Sequence, residues 1–174
     1  MIRSLNGKKP IIHKDAFISE AAYLVGEIII EADVSIWPGV VIRADSGKII
    51  IGKGTNIQDN SVLHADDDAF IGEYVTIGHR VISHAKKIGN LSLIGNGSII
   101  NDGVILGEKC LVSSGSTLTE NKSFQDKALI RGTPGKTIGL IRKRHEQLMF
   151  YANSSYIKRI ELYKTIYQQI KFMV

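Results

Sequence analysis

Ile88-Gly89-Asn90-Leu91-Ser92-Leu93 is followed by Ile94-Gly95-Asn96-Gly97-Ser98-Ile99, then by Ile100-Asn101-Asp102-Gly103-Val104-Ile105 and Leu106-Gly107-Glu108-Lys109-Cys110-Leu111. An aliphatic residue opens each group of six. Towards the C-terminus the same step reaches Val112, Leu118, Phe124 and Ile130. Towards the N-terminus a five-residue step leads back to Ser83, then Ile77 and Ile71. An eight-residue step leads to Leu63, then Ile57 and Ile51; a nine-residue step leads to Ile42, then Ile36, Ile30, Leu24, Ile18 and Ile12. Of these 20 register positions only Ser83 is not apolar. A helix of period 3.6 cannot keep residues six apart on one face for so long, and ordinary strands alternate with period two. A six-residue repeat signals a parallel β-helix, each hexad being a short strand plus a corner.

Glycine often follows the register residue, at Gly52, Gly72, Gly78, Gly89, Gly95 and Gly107. Corners need tight backbone turns, which glycine takes without steric penalty. The pattern resembles the left-handed parallel β-helix of hexapeptide-repeat proteins, in which three hexads make one triangular coil. The handedness comes from that resemblance and not from the periodicity. Twenty hexads then give between six and seven coils, stacked at strand spacing, ~4.8 Å.

Residues 1–11 read as an N-terminal lead-in and residues 12–135 as the β-helix. The run Arg131-Gly132-Thr133-Pro134-Gly135-Lys136 is rich in turn signals. Beyond it Ile141, His145, Leu148, Met149, Ala152, Tyr156, Ile160, Tyr163, Tyr167 and Ile170 recur at steps of mostly three and four. Residues 136–174 therefore read as an amphipathic helical segment, one helix or two, divided near Asn153-Ser154-Ser155. Its apolar stripe needs a partner, either the side of the prism or a neighbouring subunit. The expected class is mainly β, a β-helix with a C-terminal α-helix packed alongside.

With 44% hydrophobic residues the chain can bury a sizeable core. Part of the +5 charge lies in Arg142-Lys143-Arg144 and Lys158-Arg159. That grouping reads as a solvated helix face, so no nucleic-acid partner is expected. Cys110 is the only cysteine and cannot form an intrachain disulfide, which suits a reducing compartment; it reads as a small core residue. The start shows no signal peptide, and no apolar run is long enough to span a membrane. A soluble cytoplasmic protein is expected.

Three of the five histidines fall between positions 64 and 84. His64 follows Leu63 and His84 follows Ser83, so both are one past a register residue. Positions 63 and 83 are three hexad steps apart, one full coil, so these two side chains stack on one face at ~4.8 Å. Two imidazoles so placed can converge on one ion at ~2.0–2.1 Å per Zn–N bond. His79 is two past Ile77 and five residues before His84, which an extended strand converts to ~16 Å. It belongs near another corner, and a copy from an adjacent subunit could complete the site in a threefold assembly. Three imidazoles leave a position for water, as in catalytic zinc sites. By the same phase rule Arg43 lies in line with His64, and Asp59 beneath His79. His13 and His145 read as hydrogen-bonded or surface residues, and Asp66–Asp68 as a solvated loop.

Arg43-Ala44-Asp45, Thr55-Asn56-Ile57-Gln58-Asp59, His64, and Gly78-His79 with four residues to His84 together resemble the γ-class carbonic anhydrases and their homologues, over nearly the whole chain. The resemblance implies a homotrimer with interfacial metal sites holding Zn(II), with Fe(II) or Co(II) as alternatives. His64 and His84 would bind from one subunit and His79 from its neighbour. Gln58 would hydrogen-bond the metal-bound water or hydroxide, and Asn56 would line the pocket. Arg43 would pair across the interface with Asp59 and Asp45, and Tyr156 would reach towards the site from the helix. The implied reaction is reversible hydration of CO2 to bicarbonate by a metal-bound hydroxide. Ser46 stands where the most active archetype carries a glutamate; Arg80, Ala85 and Lys86 also depart from the family's commoner residues.

Two other function classes remain open. Many hexapeptide proteins transfer acyl groups from coenzyme A with one interfacial histidine as base, and a metal hydroxide can also hydrolyse a thioester. A trimer that the metal merely staples would have no activity.

Overall fold

Every register residue from Ile12 to Ile130 sits in a strand that pairs in parallel with an adjacent coil, opposite its own counterpart. Ile42 lies beside Leu63, Leu63 beside Ser83, Ser83 beside Ile100 and Ile100 beside Leu118. The computed structural model describes the backbone of residues 1–171 and the side chains of residues 1–166; Tyr167 and Ile170 of the expected helix stripe lie outside those side chains. One sheet forms a single face, its strands running from Phe17–Ile18 through Ser35–Ile36, Asn56–Ile57, Thr76–Ile77, Leu93–Ile94 and Leu111–Val112 to Ala128–Gly132. The other sheet wraps the remaining two faces, because Tyr23–Ile30 and Val41–Ile51 run unbroken round the corner between them. The nine-, eight- and five-residue steps all fall at that same corner. Pairing is therefore in register on both sides of each irregular step.

The register column fills the prism with fully buried Leu24, Ile36, Ile57, Ile77, Ile94 and their neighbours. Each such side chain contributes ~1.5–3 kcal/mol of hydrophobic stabilisation relative to exposure. A second inward column lies four residues past most register positions away from the irregular corner. It holds Val34, Val40, Val75 and Val81, but also Thr55, Ser61, Ser92, Ser98 and Cys110, all buried. Its hydroxyls are satisfied by backbone carbonyls of the next coil, as Thr55 Oγ1 donates to Gly72 O at 2.7 Å and Ser61 Oγ to Gly78 O at 2.8 Å.

The glycines that follow register residues serve a different purpose from the expected one. A Cβ at Gly89 would lie 2.4 Å from the backbone carbonyl carbon of Gly107, so absence of a side chain lets successive coils approach. The tight turn sits two residues later. There φ is positive, at Gly39, Asn60, Arg80, Gly97 and Gly115 for one corner. That conformation costs an ordinary L-residue roughly 1–2 kcal/mol and glycine nothing comparable.

Both ends of the prism depart from the expected boundaries. Ile2–Arg3, within the expected lead-in, pairs in parallel with Leu24 and Val25. Residues 136–140, expected to begin the helical segment, belong instead to the strand Gly135–Leu140, antiparallel to Ala128–Gly132. It covers the last parallel edge, which would otherwise present unpaired backbone groups.

The helix, α1, spans Lys143–Lys171 without a break. Asn153 and Ser155, which suggested a division, have their polar groups occupied: Asn153 Nδ2 donates to Gly54 O at 2.9 Å, and Ser155 Oγ to Ala152 O at 2.9 Å. Helix α1 lies along the face carrying Ser35–Ile36, Asn56–Ile57 and Thr76–Ile77. It is anchored by Ile160 against Phe17 and Trp37, with Tyr156 and Tyr163 packed on that cluster. Among the described residues no helix is long and apolar enough to cross a membrane.

Candidate metal centre

The corner with irregular steps carries His64 and His84. Both follow a register residue, so both rings project outward from adjacent coils. Their centroids are 4.9 Å apart with planes at 82°. The eight-residue step between Leu63 and Ile71 extrudes Asp66-Asp67-Asp68 over the five-residue step at Ser83–Ile88. A cavity of about 570 Å³ results, lined by that loop, His84, Lys86 and Asp102. The donor atoms of His64, Asp66 and His84 lie within 4.8 Å of one another. Asp68 is more than a solvated residue: its Oδ1 accepts the Lys48 backbone N–H at 3.0 Å. That bond holds the Asp68 carboxyl below its usual range.

Asp102, which phase arithmetic could have placed two residues past Ile100 in the neighbouring coil, takes part in this corner. Its Oδ1 lies 3.0 Å from His84 Nδ1. A carboxylate only accepts, so Nδ1 carries the proton and the Nε2 lone pair is left for a ligand. His64 Nε2 lies 3.2 Å from Asp45 Oδ2 and 3.3 Å from Arg43 Nη2. Arg43 is beside His64 in register, as the phase rule expects.

Arg43 and Asp45, expected to meet across an interface, already pair within one chain. The two residues are two apart on one strand, with side chains on the same side, and Nη2 meets Oδ2 at 2.6 Å within the chain. Asp59 is engaged elsewhere: its Oδ2 lies 3.1 Å from His79 Nδ1. His79 sits on the next corner and takes no part in the donor set of His64, Asp66 and His84. Its Nε2 lies 3.5 Å from the Tyr156 hydroxyl. Tyr156 is half-buried against Trp37, ring centroids 5.2 Å apart, and the Arg159 guanidinium lies 4.7 Å over its ring. Burial pushes its phenol above the ordinary value.

Asn56 and Gln58 flank Ile57 and point out of the prism into the layer covered by α1, where both are buried. Gln58 Nε2 donates to Asn56 Oδ1 at 3.0 Å, and Asn56 Nδ2 donates to Thr76 Oγ1 at 3.0 Å. Thr76 is a partner that the sequence did not single out, because a threonine before a register residue looks like any strand position. His13 and His145 make local bonds only: Nδ1 of each accepts a nearby backbone N–H, from Asp15 at 3.2 Å and from Arg142 at 3.0 Å. Cys110 is fully buried, and burial pushes its thiol up to about 11.

The chemistry of the donors suits a divalent ion of borderline softness, which imidazole and carboxylate both accept. His84 and His79 each have a carboxylate on Nδ1, the arrangement that orients metal-binding histidines elsewhere.

No family model matches the chain. The carnitine operon protein CaiE of Escherichia coli is 35% identical over 137 residues, covering 78% of this chain and 70% of that protein. A solved structure of a hexapeptide transferase family protein from Anaplasma phagocytophilum is 35% identical with a TM-score of 0.89, covering 93% of this chain and 97% of the other. A putative acetyltransferase from Bacillus cereus is 32% identical with a TM-score of 0.89, covering 95% and 97%.

Proposed function

Because this chain belongs to the hexapeptide-repeat β-helix family, whose fold alone fixes no chemistry, we propose its function from the two histidine corners: a γ-carbonic anhydrase-like metalloprotein that interconverts CO2 and bicarbonate. In this reading the chain assembles as a homotrimer. His64 and His84 of one protomer and His79 of the next hold one ion, Zn(II) with Fe(II) or Co(II) as alternatives. The single observation that supports it is the stacked pair of imidazoles, 4.9 Å apart, with His79 turned to the neighbouring corner.

A divalent ion in such a site would lower the pKa of a coordinated water to about 7 and so supply a nucleophile at neutral pH. The chain's own groups do the remaining work. Asp102 and Asp59 fix the tautomers of His84 and His79 through Nδ1. Asn56 holds the Gln58 amide, and Thr76 holds Asn56, so the Gln58 side chain is fixed before any substrate arrives. Tyr156 offers a hydroxyl beside His79 Nε2. The carboxylates of Asp66 and Asp67 are the groups available to take protons to solvent.

Metal analysis of anaerobically purified protein, paired with stopped-flow CO2 hydration, tests the proposal. One ion per chain with turnover that chelation abolishes is expected. A metal-free protein, or a loaded one without turnover, ends it. The second reading is acyl transfer, favoured by the names of the two solved relatives. Acyl transfer that persists after chelation would select it; thioester hydrolysis lost on chelation would keep the metal site and change the substrate.

A further inference from the structure

The corner that carries His79 turns through a left-handed residue in five successive coils, at positions 39, 60, 80, 97 and 115. Gly39, Gly97 and Gly115 suit that conformation, and Asn60 tolerates it. Arg80, with φ 56°, is the one member of the column that is neither glycine nor asparagine. Long side chains at the equivalent turn of the neighbouring corner, Tyr74 and Leu91, have a packing role: they line an apolar cavity closed by Met149 and Ile157 of α1. Arg80 has none. Its backbone N–H donates to Asp59 O at 3.1 Å, while its exposed guanidinium makes no hydrogen bond or ion pair among the described residues.

Arg80 borders a cavity of about 530 Å³ whose lining also includes Asp59, Asn60, His79 and Asn96. The charges there are unequal in availability. Asp59 is engaged by His79 Nδ1 at 3.1 Å. Asn96 Oδ1 accepts the His79 backbone N–H at 3.0 Å, which leaves the side-chain NH2 group as a donor. What this cavity offers a ligand is thus a planar fork of N–H donors with a full positive charge. Lys86 on the other histidine corner is not comparable, since it shares its cavity with Asp66, Asp67, Asp68 and Asp102.

We infer that Arg80 forms an oxyanion-recognition subsite beside His79 and sets the substrate class: a planar, carboxylate-type anion, either bicarbonate itself or the carboxylate arm of an ester or thioester. This rests on the proposed metal site, because it places the anion next to a ligand histidine. A guanidinium matches two carboxylate oxygens at once, which an ammonium cannot do.

The test is a titration of the assembled, metal-loaded protein with sodium acetate and with sodium bicarbonate, against sodium chloride at matched ionic strength. Amide resonances of Gly78 and Gly97 report binding in 1H–15N spectra. Sedimentation and metal analysis accompany each sample. Saturable shifts are expected in the wild type. Arg80→Gln should weaken binding by at least tenfold, and Arg80→Lys by less, with metal content and assembly unchanged in both. Equal affinity in wild type and Arg80→Gln overturns the inference. So does dissociation of Arg80→Gln into single chains, which would mean that the guanidinium clamps the acidic loop of a second copy. A wild type that neither assembles nor holds metal sinks the metal site instead; the acetate titration of that protein still reads Arg80 directly.

Discussion

From Ile88 onward the prism repeats every six residues, whereas between Ile42 and Ile88 one corner in three breaks step, by nine, eight and five residues. The regular coils are near-equivalent: apart from Ser83 below Ile100 and Phe124 above Leu106, register residues meet aliphatic partners above and below, and outward positions face solvent or α1. The irregular coils lose that equivalence on the outside alone. Inside, Ile42, Leu63, Ser83 and Ile100 still stack in register. Outside, the longer coil projects Asp66–Asp68 over the shorter one and makes a recess beside His64 and His84. The contrast teaches that the stacking of backbones tolerates insertions at a corner, and that the candidate site is built from that tolerance.

The sharpest way to break this contrast is to remove a ligand without touching the stack. His79→Ala should abolish stoichiometric metal in every site, read by elemental analysis, while urea unfolding shifts by less than ~1 kcal/mol, as expected for a part-exposed side chain. Asp66→Ala separates the shared site from a site inside one chain. Metal retained by Asp66→Ala and lost by His79→Ala supports sharing between protomers; the reverse supports the set of His64, Asp66 and His84.

The complementary experiment breaks the stack and spares the ligands. Ile100 is fully buried between Ser83 and Leu118. Ile100→Ala should cost ~2–5 kcal/mol by transfer and cavity terms, measured by urea unfolding. Metal per folded chain should not change. A smaller effect is expected one bond away from the ligands. Asp102→Asn replaces the acceptor of His84 Nδ1–H, and second-partner losses of this kind weaken metal affinity about 10–100-fold. Competition with a chromogenic chelator measures it, and unchanged affinity would remove Asp102 from the site.

These experiments also separate what the sequence alone carries from what only the folded chain shows. The register was legible because only inward residues must be apolar, and one face of every hexad obeys that rule. The stacking of His64 on His84 and of Asp59 under His79 followed from phase, which the corner insertions do not disturb. Three features were hidden for physical reasons. Gly135–Leu140 is almost wholly exposed, so it shows no alternation that would betray a strand. The continuity of α1 through Asn153-Ser154-Ser155 depends on Asn153 reaching Gly54, some hundred residues earlier in the chain. Glycine after a register residue suggests a turn, whereas its role is contact between coils, which no local rule reports.

The second inward column was the least legible part, and it yields the smallest predicted effect. Serines and threonines in a sequence suggest surface, yet here they fill the prism because the hydroxyls of Thr55, Ser61, Ser92 and Ser98 each have a carbonyl in the next coil. Ser92 Oγ donates to Gly107 O at 3.2 Å, Ser98 Oγ to Ser113 O at 3.2 Å, and Cys110 Sγ to Gln125 O at 3.2 Å, each across the same 15-residue separation. Cys110 therefore occupies a place already shaped for a hydroxyl. Cys110→Ser should cost under ~1 kcal/mol, because the new donor inherits a partner and leaves no buried group unsatisfied. Cys110→Val, closer in hydrophobicity, removes the donor and adds a methyl beside closely stacked backbone, so it should cost more, ~1–3 kcal/mol. Urea unfolding of both variants reads the order directly. With its thiol pushed up to about 11 by burial, wild-type Cys110 should also resist iodoacetamide at pH 8 until denaturant opens the prism. If valine is the milder replacement, the column is held by packing alone and its hydrogen bonds are incidental.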